Sequence, residues 1–179
     1  MRYAAFFRNL LLGRAGHPTR AQFIAALEAA GAREVVSLQA HGNAAFSAGG
    51  ARRASAVTRA ACEDLRLRCG WHGTAHVRSM ARLAELIDQQ PFAAAPTDGI
   101  HERCVTFLPA APSPVPALPI VGARGDLQIF RFDGAEAFSV TRLVGGRPGN
   151  VNALLERLLQ APLTTRNWNT VVRVVERCA

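Results

Sequence analysis

The chain has 179 residues, 49% of them hydrophobic and 19% charged, with 21 basic residues against 13 acidic ones. That balance excludes the low-hydrophobicity, high-charge class of disordered chains, and no stretch approaches the roughly 20 consecutive apolar residues of a membrane span. The length suits one sizeable core or two small lobes; we expect two halves, residues 1–95 and 96–179, packed as one compact unit.

Every basic residue is an arginine, and the excess lies in the first half, which carries 12 Arg against 6 acids while the second carries 9 against 7. A positive field attracts anions, nucleic acid included, but carries no information about fold. The absence of lysine is most simply a compositional bias. The cysteines, Cys62, Cys69, Cys104 and Cys178, form no CxxC pair and no regular framework, so they read as small core residues in a reducing compartment rather than as disulfides or a zinc site. The first 27 residues hold no acid, as in a transit peptide. Arg8 and Asn9 split the apolar run there, and the segment reads as mature sequence of a cytoplasmic protein.

In chain order, "RYAAFFR" (Arg2 to Arg8) is a short aromatic-rich run that fits a buried strand. Thr19 with Gln22 makes a capping box for a helix in which Phe23, Ala26, Leu27 and Ala30 recur at helical spacing until Gly31. "EVVSLQA" and "NAAFSA" are strands joined at His41-Gly42, where glycine admits the positive φ of a tight turn. Ala51 to Cys69 is a second helix stopped by Gly70, and "TAHVRS" is a fourth strand. The order β-α-β-β-α-β is the ferredoxin-like arrangement.

Ser79 caps a short helix that ends before Pro91, and "RCVTFL" (Arg103 to Leu108) is strand-like. The segment 109–119, "PAAPSPVPALP", holds too much proline for helix or central strand and reads as an extended loop. "DLQIFRF" and "EAFSVTRL" form a hairpin around Asp133-Gly134, and Asn150 to Leu159 and Thr164 to Cys178 read as the closing helices. The fold class expected is α+β, a ferredoxin-like first half with an appended smaller α+β second half.

The opening "FFRNLLLG", the hairpin "QAHGNAAF" and above all the ending "TTRNWNT" resemble the bacterial domain-of-unknown-function family numbered 1697. Its members open with a strand ending in Leu-Arg-Gly-Ile-Asn-Val-Gly-Gly, follow with a hairpin on Ser-Gly-Asn and close on Thr-Thr-Arg-Asn-Trp-Asn-Thr. The chain keeps Arg8, Gly13 and the closing heptad. It departs at the Gly-Ile-Asn core, at His41 where the family has serine, and at Ser139-Val140 where it has Ser-Lys. The resemblance implies the same two-part α+β fold and brings no established reaction.

Several residue groups are candidates for function. The loop Asn9 to Pro18 joins a strand to a helix N-terminus and carries Gly13 and Gly16, an arrangement that can bind anions through backbone N–H groups; it lacks the Gly-Lys-Ser/Thr ending of a P-loop. Arg8, Gly13 and Asn43 of the first half, with Arg166, Asn167 and Asn169 of the heptad, are the expected ligand-binding set. The plainer reading makes Trp168 a core anchor, on one face with Val171, Val172 and Val175, and gives the asparagines to backbone bonding. Arg52, Arg59 and Arg66 recur every seven residues and form one stripe, either a solvated face or a nucleic-acid contact. Cys69, His72 and His76 have a metal-like spacing, but on a strand four residues span about 13 Å, so no metal and no cofactor is expected. No activating motif surrounds any serine or cysteine.

The expected function is therefore non-catalytic binding of an anionic ligand, a phosphorylated small molecule or nucleic acid. The alternative is an enzyme of unrecognised type with a polar site between the loop after the first strand and "RNWN". The expected partners include no membrane, and the chain reads as a monomer or homodimer.

Overall fold

The computed structural model describes residues 1–179, with five helices and ten strands. The chain divides into two compact units, Met1–Ala84 with Val174–Ala179, and Glu85–Arg173. No helix is long and apolar enough to cross a membrane.

The first unit contains β1 (Arg2–Phe7), α1 (Arg20–Ala29), β2 (Arg33–Leu38), β3 (Asn43–Ser47), α2 (Ala51–Cys69) and β4 (Ala75–Ser79). The expected β-α-β-β-α-β order is present. The strands form one antiparallel sheet in the order β2-β3-β1-β4. Side chains alternate across a sheet, and Tyr3, Ala5 and Phe7 of β1 with Ala44 and Phe46 of β3 meet Phe23 and Leu27 of α1 and Val57, Ala61 and Leu65 of α2. Phe7 lies edge-on to Phe23, with ring centroids 4.8 Å apart, and leans on Trp71 at 6.0 Å.

Local chemistry sets these boundaries. Thr19 and Gln22 form the reciprocal capping box of α1, and Gly70 ends α2 in the left-handed conformation at φ 68°. At the β2–β3 turn Gly42 has φ 63°, and a Cβ there would meet Leu10 Cβ at 2.7 Å. One edge of the sheet, β2, is blunted. Glu34 sits at φ 52° in a register break, the Arg2 guanidinium donates to Glu34 O, and Arg20 donates to Ser37 O, all devices that oppose edge-to-edge pairing.

α3 (Met80–Asp88) follows β4 directly, with Ser79 Oγ accepting from Arg82 N. The second unit holds β5 (Ile100–Phe107), β6 (Ile120–Val121), β7 (Leu127–Asp133), β8 (Glu136–Val144), β9 (Arg147–Pro148), α4 (Val151–Leu159) and β10 (Thr164–Asn167). Its antiparallel sheet runs β10-β5-β8-β7-β6, with β9 pairing β8. Leu127, Ile129 and Ala137 pack against Val151 and Leu155 of α4. Phe138, which alternates with Ala137 and so points from the opposite face, joins Phe92, Phe130 and Trp168 with centroids 5.5–5.8 Å apart. The proline-rich residues 109–119 form the irregular β5–β6 connection, with cis Ser113–Pro114 and Leu118–Pro119 bonds.

The closing segment differs from the expected single helix over Thr164 to Cys178. Thr164–Asn167 is the edge strand β10, and the helix α5 begins only at Trp168 and ends at Cys178. Two successive β-branched threonines after Pro162 favour extended backbone over helix. The buried positions of α5 are Val171, Val174 and Cys178, so the inward face is centred one residue away from Val172 and Val175.

Candidate anion-binding site

The expected ligand-binding residues divide between the units. Arg8, Gly13 and Asn43 belong to the first, and Arg166, Asn167 and Asn169 to the second. In the loop after β1 five backbone donors are already engaged within the protein. Leu11 N donates to His17 Nδ1, Leu12 N to Ala40 O, Gly13 N to Pro18 O, Arg14 N to Leu11 O and His17 N to Arg14 O. The first turn of α1 is closed by its capping box. With these five N–H groups bonded inward, Gly13 among them, the loop offers an anion no row of free donors beside its exposed Arg14. Arg8 N donates to Thr74 O, and Asn43 is buried, its Nδ2 3.5 Å from Gln39 Oε1.

The heptad Thr164–Thr170 is likewise occupied with structure. Asn152 Oδ1 of α4 accepts from both Thr165 N at 3.0 Å and Thr165 Oγ1 at 2.8 Å, and Thr106 Oγ1 lies 2.8 Å from Thr165 Oγ1. Each hydroxyl has one proton. Thr165 gives its own to Asn152, so Thr106 donates to Thr165, a relay across three elements. Asn167 is the N-cap of α5, its Oδ1 accepting from Asn169 N at 3.0 Å, while its Nδ2 is 3.4 Å from Glu102 Oε1. Asn169 is exposed. Arg166 donates to Thr165 O, and burial pushes its guanidinium down to about 10, which leaves it cationic at neutral pH. A polar cleft of about 310 Å³ lies beside Asn167 and Asn169, lined also by His101, Glu102 and Arg103. Its carboxylate makes it a poor home for an anion.

No activated thiol accompanies these groups. Burial raises Cys62 to about 12, and burial with the Glu102 carboxylate raises Cys104 to about 12. At neutral pH both are protonated and weakly nucleophilic.

The arginine stripe is exposed at all three positions, Arg52, Arg59 and Arg66, but it is not uniform. Arg66 is paired with Glu63 and Arg68 with Asp64, so the C-terminal half of α2 is locally balanced. The N-terminal half carries Arg52, Arg53 and Arg59 with no acid before Glu63. Net positive charge is concentrated at the start of the helix.

That start is also a site. The N-cap of α2 is Gly50, at φ 138°, and no side chain caps the helix, which leaves the first-turn N–H groups and the positive end of a 19-residue helix available. A Cβ placed on Gly49 or Gly50 would meet nothing within 4 Å. Beside them opens a cleft of about 360 Å³, with Tyr3, Val77 and Ala51 forming apolar wall and Ser55, Arg78 and Arg82 polar rim, and with no acid in its lining. Met1 lies in the same lining, and its ammonium donates to Ala48 O at 3.1 Å. Sequence reading missed this place. The signal was "SAGGARR", a strand-to-helix turn without a Ser, Thr, Asp or Asn cap, but only the β1–β4 pairing brings Arg78 alongside.

No curated protein matches the chain. Among solved structures it is similar to a conserved bacterial protein from Streptococcus pneumoniae, at 14% identity with a TM-score of 0.60, the alignment covering 98% of this chain and 97% of that one. At that identity the likeness establishes the α+β fold alone. Residues 1–138 match the family described as protein of unknown function DUF1697, a span that takes in the whole strand-helix core of the first unit and leaves out the closing heptad. With more than half its length so matched, the chain belongs to the DUF1697 family.

Proposed function

We propose that the protein is a non-catalytic binding domain for a small phosphorylated ligand, held at the N-terminus of α2. The observation that carries this reading is the cleft bounded by Arg78 and Arg82 beneath an uncapped helix start, with no carboxylate in its lining. A phosphate there accepts from backbone N–H groups and from guanidinium donors, the geometry that suits a tetrahedral oxyanion. Gly49 and Gly50 let it approach the backbone closely. The apolar wall of Tyr3 and Val77 suits the body of a small molecule better than a polynucleotide backbone. The residues Arg8, Gly13, Asn43, Arg166, Asn167 and Asn169 take no part in this reading: they divide between the two units, and the Gly13 N–H and the Asn167 side chain bond within the protein.

Isothermal titration of the full chain with inorganic pyrophosphate and with a short single-stranded oligonucleotide tests it. Saturable one-to-one binding of pyrophosphate is expected. Ala51→Asp is the informative variant, since an acid in the first turn favours the helix by about 0.3–1 kcal/mol while placing negative charge in the cleft. It should reduce pyrophosphate affinity at least tenfold without lowering the melting temperature. Oligonucleotide binding with a steep salt dependence, and weak pyrophosphate binding, would assign the site to nucleic acid along Arg52 and Arg59 instead.

A further inference from the structure

The polar cleft of the second unit carries charges that the anion site does not use. It opens where β5 runs on past β10. The pairing of the two strands ends at Asn167 with Cys104, so the backbone of residues 100–103 has no strand partner on that side, and α5 begins next to it at Trp168. Around this gap of about 310 Å³ stand Ile100, His101, Glu102, Arg103, Asn167 and Asn169. Such a volume lies at the small end of ligand sites, which run to about 300–1,000 Å³.

Successive side chains of a strand point to opposite faces, and this keeps the two charges of the cleft apart. The Glu102 carboxylate accepts only a long bond of 3.4 Å from Asn167 Nδ2, the Arg103 guanidinium lies over the Phe92 ring at 6.0 Å, and neither is in an ion pair. The Asn169 side-chain amide and the His101 imidazole are unbonded within the chain. On the Glu102 face, Thr141 stands directly opposite Glu102, and Ser139 opposite Cys104. Both hydroxyls are buried with no partner in the protein. Buried polar groups are normally paired, so this flank points to a polar occupant.

These features narrow the ligand. A simple anion meets Glu102, a simple cation meets Arg103, and Ile100 alone offers an apolar wall, too little for a lipid tail or an aromatic ring. A ligand with both charges on neighbouring atoms satisfies both side chains. We propose that this cleft binds a small polar α-amino acid as its zwitterion, the ammonium donating to Glu102 and the carboxylate accepting from Arg103 and the Asn169 amide. The unpaired backbone of residues 100–103 supplies donors and acceptors for the ligand's polar side chain.

The test is calorimetric titration of the full chain with L-serine, L-asparagine and L-glutamine, each compared with its decarboxylated amine and its deaminated acid. At least one amino acid is expected to bind one-to-one, with both of its half-ligands weaker by about tenfold or more, the loss that goes with a hydrogen bond to a charged group. Glu102→Gln and Arg103→Gln should each weaken that amino acid by a similar factor. Neither residue lines the cleft at α2, so both variants should keep the melting temperature and the pyrophosphate affinity. Failure of all three amino acids to bind saturably, a half-ligand that binds as tightly as its parent, or binding unchanged in both variants overturns the proposal.

Discussion

The relay Thr106–Thr165–Asn152 gives the most quantitative handle on the closing heptad. Thr165→Val keeps the side-chain shape and removes the hydroxyl, so Asn152 Oδ1 loses one of its two donors and Thr106 Oγ1, wholly buried, loses its acceptor. Two hydrogen bonds at about 1 kcal/mol each, one of them leaving a buried group unpaired, put the loss at roughly 2–3 kcal/mol. Asn152→Ala removes the same Thr165 hydroxyl contact and also the acceptor of Thr165 N at 3.0 Å, for a loss of roughly 2 kcal/mol. Only the shared O–H bond should be non-additive, so the double variant should be less damaged than the sum by about 1 kcal/mol. Urea unfolding followed by circular dichroism measures each corner of the cycle. Pyrophosphate titration of the same four proteins should show unchanged affinity. A Thr165→Val variant within about 0.5 kcal/mol of the parent, the scatter of surface substitutions, would refute the assignment of these side chains to structure, the more so with altered ligand affinity.

Two further outcomes follow from the same geometry. Gly42→Ala combines φ 63° with a Cβ driven to 2.7 Å from Leu10 Cβ; it should lose more than about 1 kcal/mol in urea melts, whereas Gly13→Ala, with nothing within 4 Å, should lose less. Cys62 and Cys104 are held protonated to about 12 in the folded state against an ordinary 9. Between those values the folded chain keeps protons that the unfolded chain releases, so the stability these thiols contribute is fully present below about pH 9 and disappears as pH rises toward 12. Urea midpoints from pH 8 to 11 should fall less steeply for C62A/C104A than for the parent, and both thiols should resist iodoacetamide at pH 8 until the chain is unfolded.

Much of the fold is written in local signals. The Thr19/Gln22 box, the glycines after α1 and α2, and the turns at Gly42 and Gly134 are each one-residue chemistry, and the elements start and stop there. β10 was harder. "TTRNWNTVV" has apolar spacing suited to a helix from Trp168 onward, and that periodicity hides the four strand residues in front of it. The threonine pair and the preference of asparagine for caps were the available clues, and Asn167 does cap α5. β6 and β9, two residues each, exist only through their partners and leave no pattern of their own. The candidate site is less legible still. Its Gly49-Gly50 start is visible in the sequence, but Arg78 and Arg82 reach it from β4 and α3, and only sheet order places those elements beside α2. In the loop Asn9 to Pro18, where glycines suggested anion binding, composition could not show that the N–H groups bond inward to Ala40, Pro18 and His17.

The central claim is that the start of α2 is the anion site, and backbone amide NMR of the full chain during titration with inorganic phosphate addresses it most directly. The account predicts saturable shifts confined to Gly49 through Arg53, with accompanying changes at Arg78 and Arg82 side chains, and their disappearance in Ala51→Asp. Saturable shifts centred on Gly13 or Asn167, or none that saturate at Gly49 and Gly50, would contradict it.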